Sequence, residues 1–139
     1  MVRTRLDTVV RLRERDEEKA GQAVAKAESA VRAAAEKRDE ARARQMKDSR
    51  QREDVSHWEA LELARHRALS DEKKAEKELE QARRSAGQVR AVYVSAHQRA
   101  EVVRRVADAR REEATREEGR VEARHLDDVA GLLFTRKAS

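Results

Sequence analysis

The sequence contains no proline and no cysteine, and it has only one Trp, one Tyr and one Phe in 139 residues. Without proline, no residue removes a backbone N–H donor from a helix or kinks it. Without cysteine, disulfide bonds and thiolate metal sites are excluded. Aromatic residues make up 2% of the chain, so few large side chains are available for a globular core. These absences favour a long helical protein over a compact globule.

Glycine and long apolar runs are also scarce. The four glycines are isolated, so the chain has no glycine-rich loop that could hold phosphate groups. No stretch approaches the roughly 18 apolar residues of a membrane-spanning helix. The first ten residues lack the apolar region of a signal peptide. We therefore expect a protein that is neither exported by a signal peptide nor inserted in a membrane.

Charged residues are abundant instead, at 44% of the chain, with 33 basic and 28 acidic residues and a net charge of +5. The two signs are interspersed throughout, as on solvent-exposed helices that are stabilised by pairs four residues apart. Ala and Gln, which are also good helix formers, fill many of the other positions. This composition is typical of long helices and coiled coils.

Apolar residues recur at spacings of three and four in both halves of the chain, which is the spacing of a helix that packs along one seam. The first series covers residues 6–41 and is interrupted by charged residues, whereas the second covers residues 75–107 almost without interruption. Two such series predict an all-α fold: a long antiparallel two-helix coiled-coil hairpin with a longer second helix.

The position of the turn follows from a capping signal. Ser56 and Glu59 have the spacing of a capping box, in which each side chain bonds a free backbone N–H near the start of a helix. A rival N-cap at Ser70 lacks the reciprocal Glu, so we favour the first. We predict one elongated domain over residues 1–139, with helix 1 at about 4–52, the turn at about 53–56 and helix 2 at about 57–134.

This turn position predicts a register and an overhang. Val31 should lie opposite Leu79, and Gly21 opposite Gly87. Because helix 2 is longer than helix 1, about 25–30 residues after Arg110 should have no partner within the chain. These residues include several large apolar side chains, which indicates binding to another protein. Fraying of the C-terminus is the alternative.

Catalytic and metal-binding patterns are weak. Glu122 and His125 have the spacing of half a di-iron site, but such a site needs a second copy and two further Glu residues. Glu62 and His66 are best interpreted as an exposed helical pair. Two helices side by side offer no pocket in which catalytic groups could converge. We predict no catalytic residue, no metal site and no cofactor.

A basic run precedes the predicted turn and contains Arg42, Arg44, Lys47, Arg50 and Arg52. It could contact nucleic acid or an acidic lipid surface. No aromatic side chains are interleaved with it for base stacking, so a solvated tip or an acidic protein partner is favoured.

Three segments carry a family resemblance. They are the run from Arg5 to Arg15 with Leu-Asp-Thr-Val-Val and Leu-Arg-Glu, followed by Glu17 and Ala20; Ser56-His57-Trp58; and Leu126-Asp-Asp-Val-Ala130 with Arg136-Lys137. Together they resemble the FliJ family, the small coiled-coil proteins of flagellar type III export, and their injectisome counterparts. The opening segment favours the flagellar system, and the choice between the two stays open.

The resemblance implies an antiparallel coiled coil similar to the central stalk of rotary ATPases, without enzymatic activity of its own. Such a stalk inserts both ends into a hexameric export ATPase, contacts the cytoplasmic domain of the export gate and escorts export chaperones. It would be cytoplasmic and peripheral at the inner membrane through the export apparatus. The implied ATPase-binding residues are Leu6, Val9, Leu12, Leu126, Val129, Leu132, Leu133 and Phe134. The implied gate-binding residues are Leu61, Leu63, Ala64, Ala68 and Leu69.

Two other functions remain open at this point. One is a structural coiled coil that self-associates through the seam of its second helix. The other, less favoured, is a nucleic-acid-binding hairpin that uses residues 42–52. No small-molecule substrate is expected in either case.

Overall fold

The computed structural model describes residues 5–50 and 58–138, and the side chains of 5–47 and 58–138. It contains two helices, α1 (Arg5–Arg50) and α2 (Trp58–Ala138), and no strand within the described residues. The prediction of an all-helical fold is confirmed. The predicted turn at 53–56 lies outside the described residues. The rival turn at Ser70 is wrong, because α2 is helical through that position.

The helix ends carry the charges that helices favour. An acidic residue lies in the first turn of each helix, Asp7 in α1 and Glu59 in α2. Arg136 and Lys137 lie in the last turn of α2. Each sign therefore complements the partial charge of the helix end beside it. α2 continues to Ala138, past its predicted end at about 134.

The chain divides into two compact units. One comprises residues 18–95, and the other comprises residues up to Glu17 together with residues from Ala96 onward. The assignment of a single domain over 1–139 stays a prediction.

The 18–95 unit is held by a thin apolar seam. Its buried side chains are almost all alanine: Ala20, Ala41, Ala68, Ala75, Leu79 and Ala86. Burying an alanine methyl contributes only about 0.8 kcal/mol, so this seam depends on many small contacts rather than a few large ones. Gly21 lies against the ring of Tyr93, with its Cβ position 3.6 Å from Tyr93 Cε2.

Ion pairs within this unit fix the register of the two helices. Arg42 contacts Glu72 at 3.3 Å and Glu76 at 3.1 Å, and Arg90 contacts Glu28 at 3.0 Å. These pairs place Val31 level with about residue 86. The predicted register, with Val31 opposite Leu79, is therefore wrong by one heptad.

The physical reason for this error is that a shift of one heptad leaves every seam position facing a seam position. The spacing of apolar residues is the same in both registers, so it cannot distinguish them. The charged residues beside the seam can distinguish the two registers, because each ion pair forms in only one of them. The predicted pairing of Gly21 with Gly87 fails with the register, since Gly21 faces Tyr93 and no atom lies within 4 Å of the Cβ position of Gly87.

The second unit joins the start of α1 to the later part of α2. Ala100 and Ala107 are each only 1% exposed. Asp7 pairs with Arg111, and Glu14 pairs with Arg104 at 3.2 Å. Every described residue from Thr115 to Ala138 is exposed. The paired part of this unit therefore ends near Arg111, and the rest of α2 continues without a covering helix among the described residues.

Candidate protein-binding surfaces

The paired part of the second unit contains a polar cluster around Glu17. His97 Nδ1 lies 2.7 Å from Glu17 Oε1, and Arg104 Nη2 lies 2.7 Å from Glu17 Oε2. Arg104 also donates to Glu14 at 3.2 Å and to Glu101 at 2.7 Å. The side chain of Glu17 is only 17% exposed. One guanidinium therefore joins three carboxylates from the two helices.

The hydrogen bond from His97 lowers the pKa of Glu17, against a smaller opposing effect of desolvation. Arg104 lowers it further through a hydrogen bond and through its charge. The ionised Glu17 carboxylate can only accept, so the ring N–H of His97 must donate to it. The pKa of Arg104 is raised, first by its hydrogen bond to Glu14. Both shifts favour the charged forms of Glu17 and Arg104.

In the sequence, Glu17 is one of the charged residues that interrupt the first apolar series and part of the segment that resembles the FliJ family, and neither pattern predicts a partner for it. Its partners His97 and Arg104 lie eighty or more positions away, and the predicted register did not bring them together. The signal that could have found the cluster is a carboxylate at a seam position of one helix with a cation at the matching position of the other.

The exposed part of α2 carries most of the predicted ATPase-binding residues. Its large apolar side chains are highly exposed: Val121 56%, Leu126 67%, Val129 39%, Leu132 70%, Leu133 57% and Phe134 77%. Residues 126, 129 and 133 follow the three-and-four spacing of one helical face. A contiguous exposed apolar face is typical of a protein-binding surface. We refer to residues 115–138 as the α2 tail.

The N-terminal members of the predicted set do not lie beside the tail. Leu6 is half-buried, whereas Val9 and Leu12 are 38% and 55% exposed. The pairing of Asp7 with Arg111 places this segment level with residues 104–111. Leu126 lies about 22 Å further along α2, at 1.5 Å per residue. The five predicted residues of the tail therefore lie along one segment of α2. The three N-terminal residues do not lie beside them.

The predicted gate-binding residues lie on the first turns of α2. Leu63 is 56% exposed, whereas Ala68 is only 7% exposed. Leu61, Ala64 and Leu69 are half-buried. Leu63, Ala64 and Ala68 line a shallow groove of about 420 Å³, together with the side chains Arg44, Ala60, Arg67 and Asp71. Leu63 is therefore the large side chain of this set that is most open to a partner.

The basic run before the turn is partly neutralised where it is described. Arg42 binds Glu72 and Glu76, and its pKa is raised first by the hydrogen bond to Glu76. Arg44 lies 3.9 Å from Glu40. Arg52 lies outside the described residues, as does the side chain of Arg50. The described part therefore gives a nucleic-acid interface no added support.

Other functional sites gain no support from the described residues. No group of three potential metal-ligating side chains occurs in residues 5–50 and 58–138. Glu62 lies 3.7 Å from His66 on the exposed surface of α2. Neither described helix contains an apolar window long enough to cross a membrane.

Two long helices, the second ending in an exposed apolar tail, define a long helical protein with an uncovered apolar surface. The chain belongs to the FliJ family, since the family model described as "Flagellar FliJ protein" matches residues 1–139. Neither a curated protein nor a solved structure shows significant similarity to the chain. The family consists of structural proteins of flagellar protein export rather than enzymes. Membership therefore indicates a component of the flagellar export apparatus.

Proposed function

We propose that this protein is a non-enzymatic central stalk of the flagellar export apparatus, which inserts into a hexameric export ATPase, couples it to the export gate and escorts export chaperones. In this proposal α1 and α2 form an antiparallel coiled coil with a longer second helix, in the cytoplasm and at the inner membrane only through its partners. The ion pairs described above support this, because residues late in α1 pair early in α2 and residues early in α1 pair late in it.

The α2 tail carries the proposal. All of its described residues are exposed, and they include four large apolar side chains that are more than half exposed: Leu126, Leu132, Leu133 and Phe134. Burying one such side chain at an interface would contribute roughly 1.5–3 kcal/mol. Leaving all of them in water has no benefit for the folding of this chain. A ring-shaped partner that surrounds a single helix would cover side chains on every face of the tail.

The experiment measures binding to the purified hexameric export ATPase of the same flagellar system, and the ATPase rate. Truncation after Arg116 should abolish stimulation of the ATPase and weaken binding at least about tenfold, which corresponds to about 1.4 kcal/mol. Replacement of Leu126, Leu133 and Phe134 by Gln in the full chain should have a similar effect.

The matched control replaces Val92 and Val94 by Gln, since these valines are 63% and 51% exposed but lie outside the tail. That variant should stimulate the ATPase normally. If the intact protein does not stimulate the ATPase, or if the truncated protein binds as well as the full chain, the stalk function is wrong.

The gate contact can be tested separately. Leu63→Asp places a charge at the most exposed large side chain of the groove, and it should weaken binding to the cytoplasmic domain of the export gate. Because Leu63 lies outside the tail, the same variant should retain its effect on the ATPase. Equal loss of both activities would indicate a general defect rather than a gate contact.

A further inference from the structure

A second unpartnered surface lies on α2 before the tail. Between residues 98 and 110, one continuous strip of the helix surface carries only apolar, amide and basic side chains, all exposed: Gln98, Arg99, Val102, Arg105, Val106, Ala109 and Arg110. Glu101 and the exposed Asp108 lie beside this strip and not within it. Val102 is 60% exposed and Val106 is 44% exposed. We call these seven residues the arginine–valine stripe. It lies entirely in the unit that contains residues 96–138.

The acidic residues of this segment do not neutralise the stripe. Glu101 binds Arg104 at 2.7 Å, and Asp108 lies 3.5 Å from Arg111. Both of these arginines also bind carboxylates of α1. Arg99, Arg105 and Arg110, by contrast, form no ion pair with any of the described residues. The first acidic residues in line with the stripe beyond Arg110 are Glu112 and Glu113, which lie past its C-terminal end.

The spacing of the stripe is that of a helix-packing surface. Arg99, Val102, Val106 and Ala109 follow one another at three, four and three residues, which is the spacing of a coiled-coil seam. The seam that packs against α1 uses different positions, among them Ala100 and Ala107. The stripe therefore does not compete with the fold of the chain, and it is long enough for about three turns of another helix.

We propose that the arginine–valine stripe docks an acidic amphipathic helix of a partner protein. Such a helix would place apolar side chains on Val102, Val106 and Ala109, and carboxylates beside the three unpaired arginines, which form charge-assisted hydrogen bonds with carboxylates. A nucleic acid would use the arginines, but it gains nothing from two isopropyl groups at seam spacing. An anionic membrane would take up apolar side chains, but two valines and an alanine offer it far less apolar area than the Leu, Phe or Trp side chains of helices that bind membrane surfaces. The proposal is independent of the stalk function, because it concerns neither the tail nor the groove around Leu63.

The experiment uses the full chain and two synthetic four-heptad helices labelled with a fluorophore. Both probes carry Leu and Ala at the seam positions; one has Glu and the other has Lys at the flanking positions. Fluorescence anisotropy should show binding of the Glu probe, weakening as salt is added, and no comparable binding of the Lys probe.

Two variants test the two halves of the stripe. Replacement of Arg99, Arg105 and Arg110 by Gln should weaken binding of the Glu probe at least about tenfold and remove most of its salt dependence. Replacement of Val102 and Val106 by Gln should weaken binding several-fold and leave the salt dependence in place. The matched control replaces three exposed arginines outside the stripe, Arg15, Arg32 and Arg83, by Gln, and it should bind normally.

Several outcomes would overturn the proposal. They are no binding of the Glu probe, equal binding of the Lys probe, or unchanged binding by both stripe variants. Tighter binding of a single-stranded RNA or of phosphatidylserine vesicles, dependent on the arginines but not on the valines, would assign the stripe to phosphate groups instead. A dimer in sedimentation that the valine variant dissociates would assign it to a second copy of the chain.

Discussion

Two stretches of α2 lie in the same unit and have similar compositions, yet they use apolar residues in opposite ways. Between residues 96 and 114 the most buried side chains are alanines, with Ala100 and Ala107 at 1% exposure. Between residues 115 and 138 the large apolar side chains are exposed, and Phe134 reaches 77%. In this part of α2 the fully buried side chains are thus alanines, whereas the leucines and the phenylalanine are exposed.

This contrast explains how a chain so poor in large apolar residues can fold and still leave its leucines and phenylalanine in the tail exposed. Alanines in a seam allow two helices to approach closely, so the many small contacts and the ion pairs beside them can hold the pair together. The larger side chains are not needed for that seam. Their exposure has a cost for solubility, which the high density of charged residues around them offsets.

The largest expected effect comes from enlarging a small buried side chain, in comparison with truncating a large exposed one. Ala107→Leu enlarges a side chain that is 1% exposed, and overpacking of this kind typically destabilises by about 1–3 kcal/mol. Leu132→Ala removes a large side chain that is 70% exposed, and it should change stability by less than about 0.5 kcal/mol. Urea unfolding followed by circular dichroism measures both. If Leu132→Ala were the more destabilising of the two, the tail would have a partner within the chain.

The next largest effect concerns the stability of the paired part of the second unit at acidic pH. In the folded state the pKa of Glu17 is lowered below the ordinary glutamate value of 4.5, mainly by the hydrogen bond from His97. A carboxylate with a depressed pKa stabilises the fold above its unfolded pKa, and this contribution is lost as the pH falls through the folded pKa. The unfolding midpoint of wild type should therefore fall more steeply below pH 4.5 than that of Glu17→Gln.

The matched control for this prediction is Glu18→Gln. Glu18 is exposed and forms no ion pair with a described residue, so its replacement should leave the acid limb of the stability curve unchanged. Parallel curves for wild type and Glu17→Gln across this pH range would show that the bonds to His97 and Arg104 do not stabilise the folded state.

Some features of the molecule could be predicted from the sequence because each residue determines them locally. Others could not, because they depend on how the two helices pair. The helical fold follows from composition and from the absence of proline, which act locally at every residue. The exposed tail follows from the turn position predicted by the capping signal, which makes helix 2 longer than helix 1. The register could not be predicted from periodicity, because Val31 opposite residue 79 and Val31 opposite residue 86 satisfy the same spacing.

The Glu17 cluster and the stripe depend on that register, so they could not be found first. Glu17 is a charged interruption in one series until the register places His97 and Arg104 beside it. Arg104 and Arg105 are adjacent residues of the same type in the sequence. Only the structure shows that Arg104 binds three carboxylates, whereas Arg105 forms no ion pair with a described residue. Which arginines are available to a partner is therefore a property of packing rather than of composition.

The smallest expected effect comes from comparing a glycine in the paired part of α2 with a glycine in the α2 tail. Gly87 has no atom within 4 Å of its Cβ position, so Gly87→Ala should add stability without a clash, by about 0.4–1 kcal/mol. Gly119 is equally unobstructed but lies in the tail, where the helix has no described partner. Gly119→Ala should therefore raise helicity and leave the urea midpoint unchanged. It should also tighten binding of the tail to its partner, since less conformational entropy is lost when an already helical segment binds. A midpoint shift as large as that of Gly87→Ala would mean that the tail unfolds together with the paired helices, and the contrast between the two stretches would then be one of exposure only.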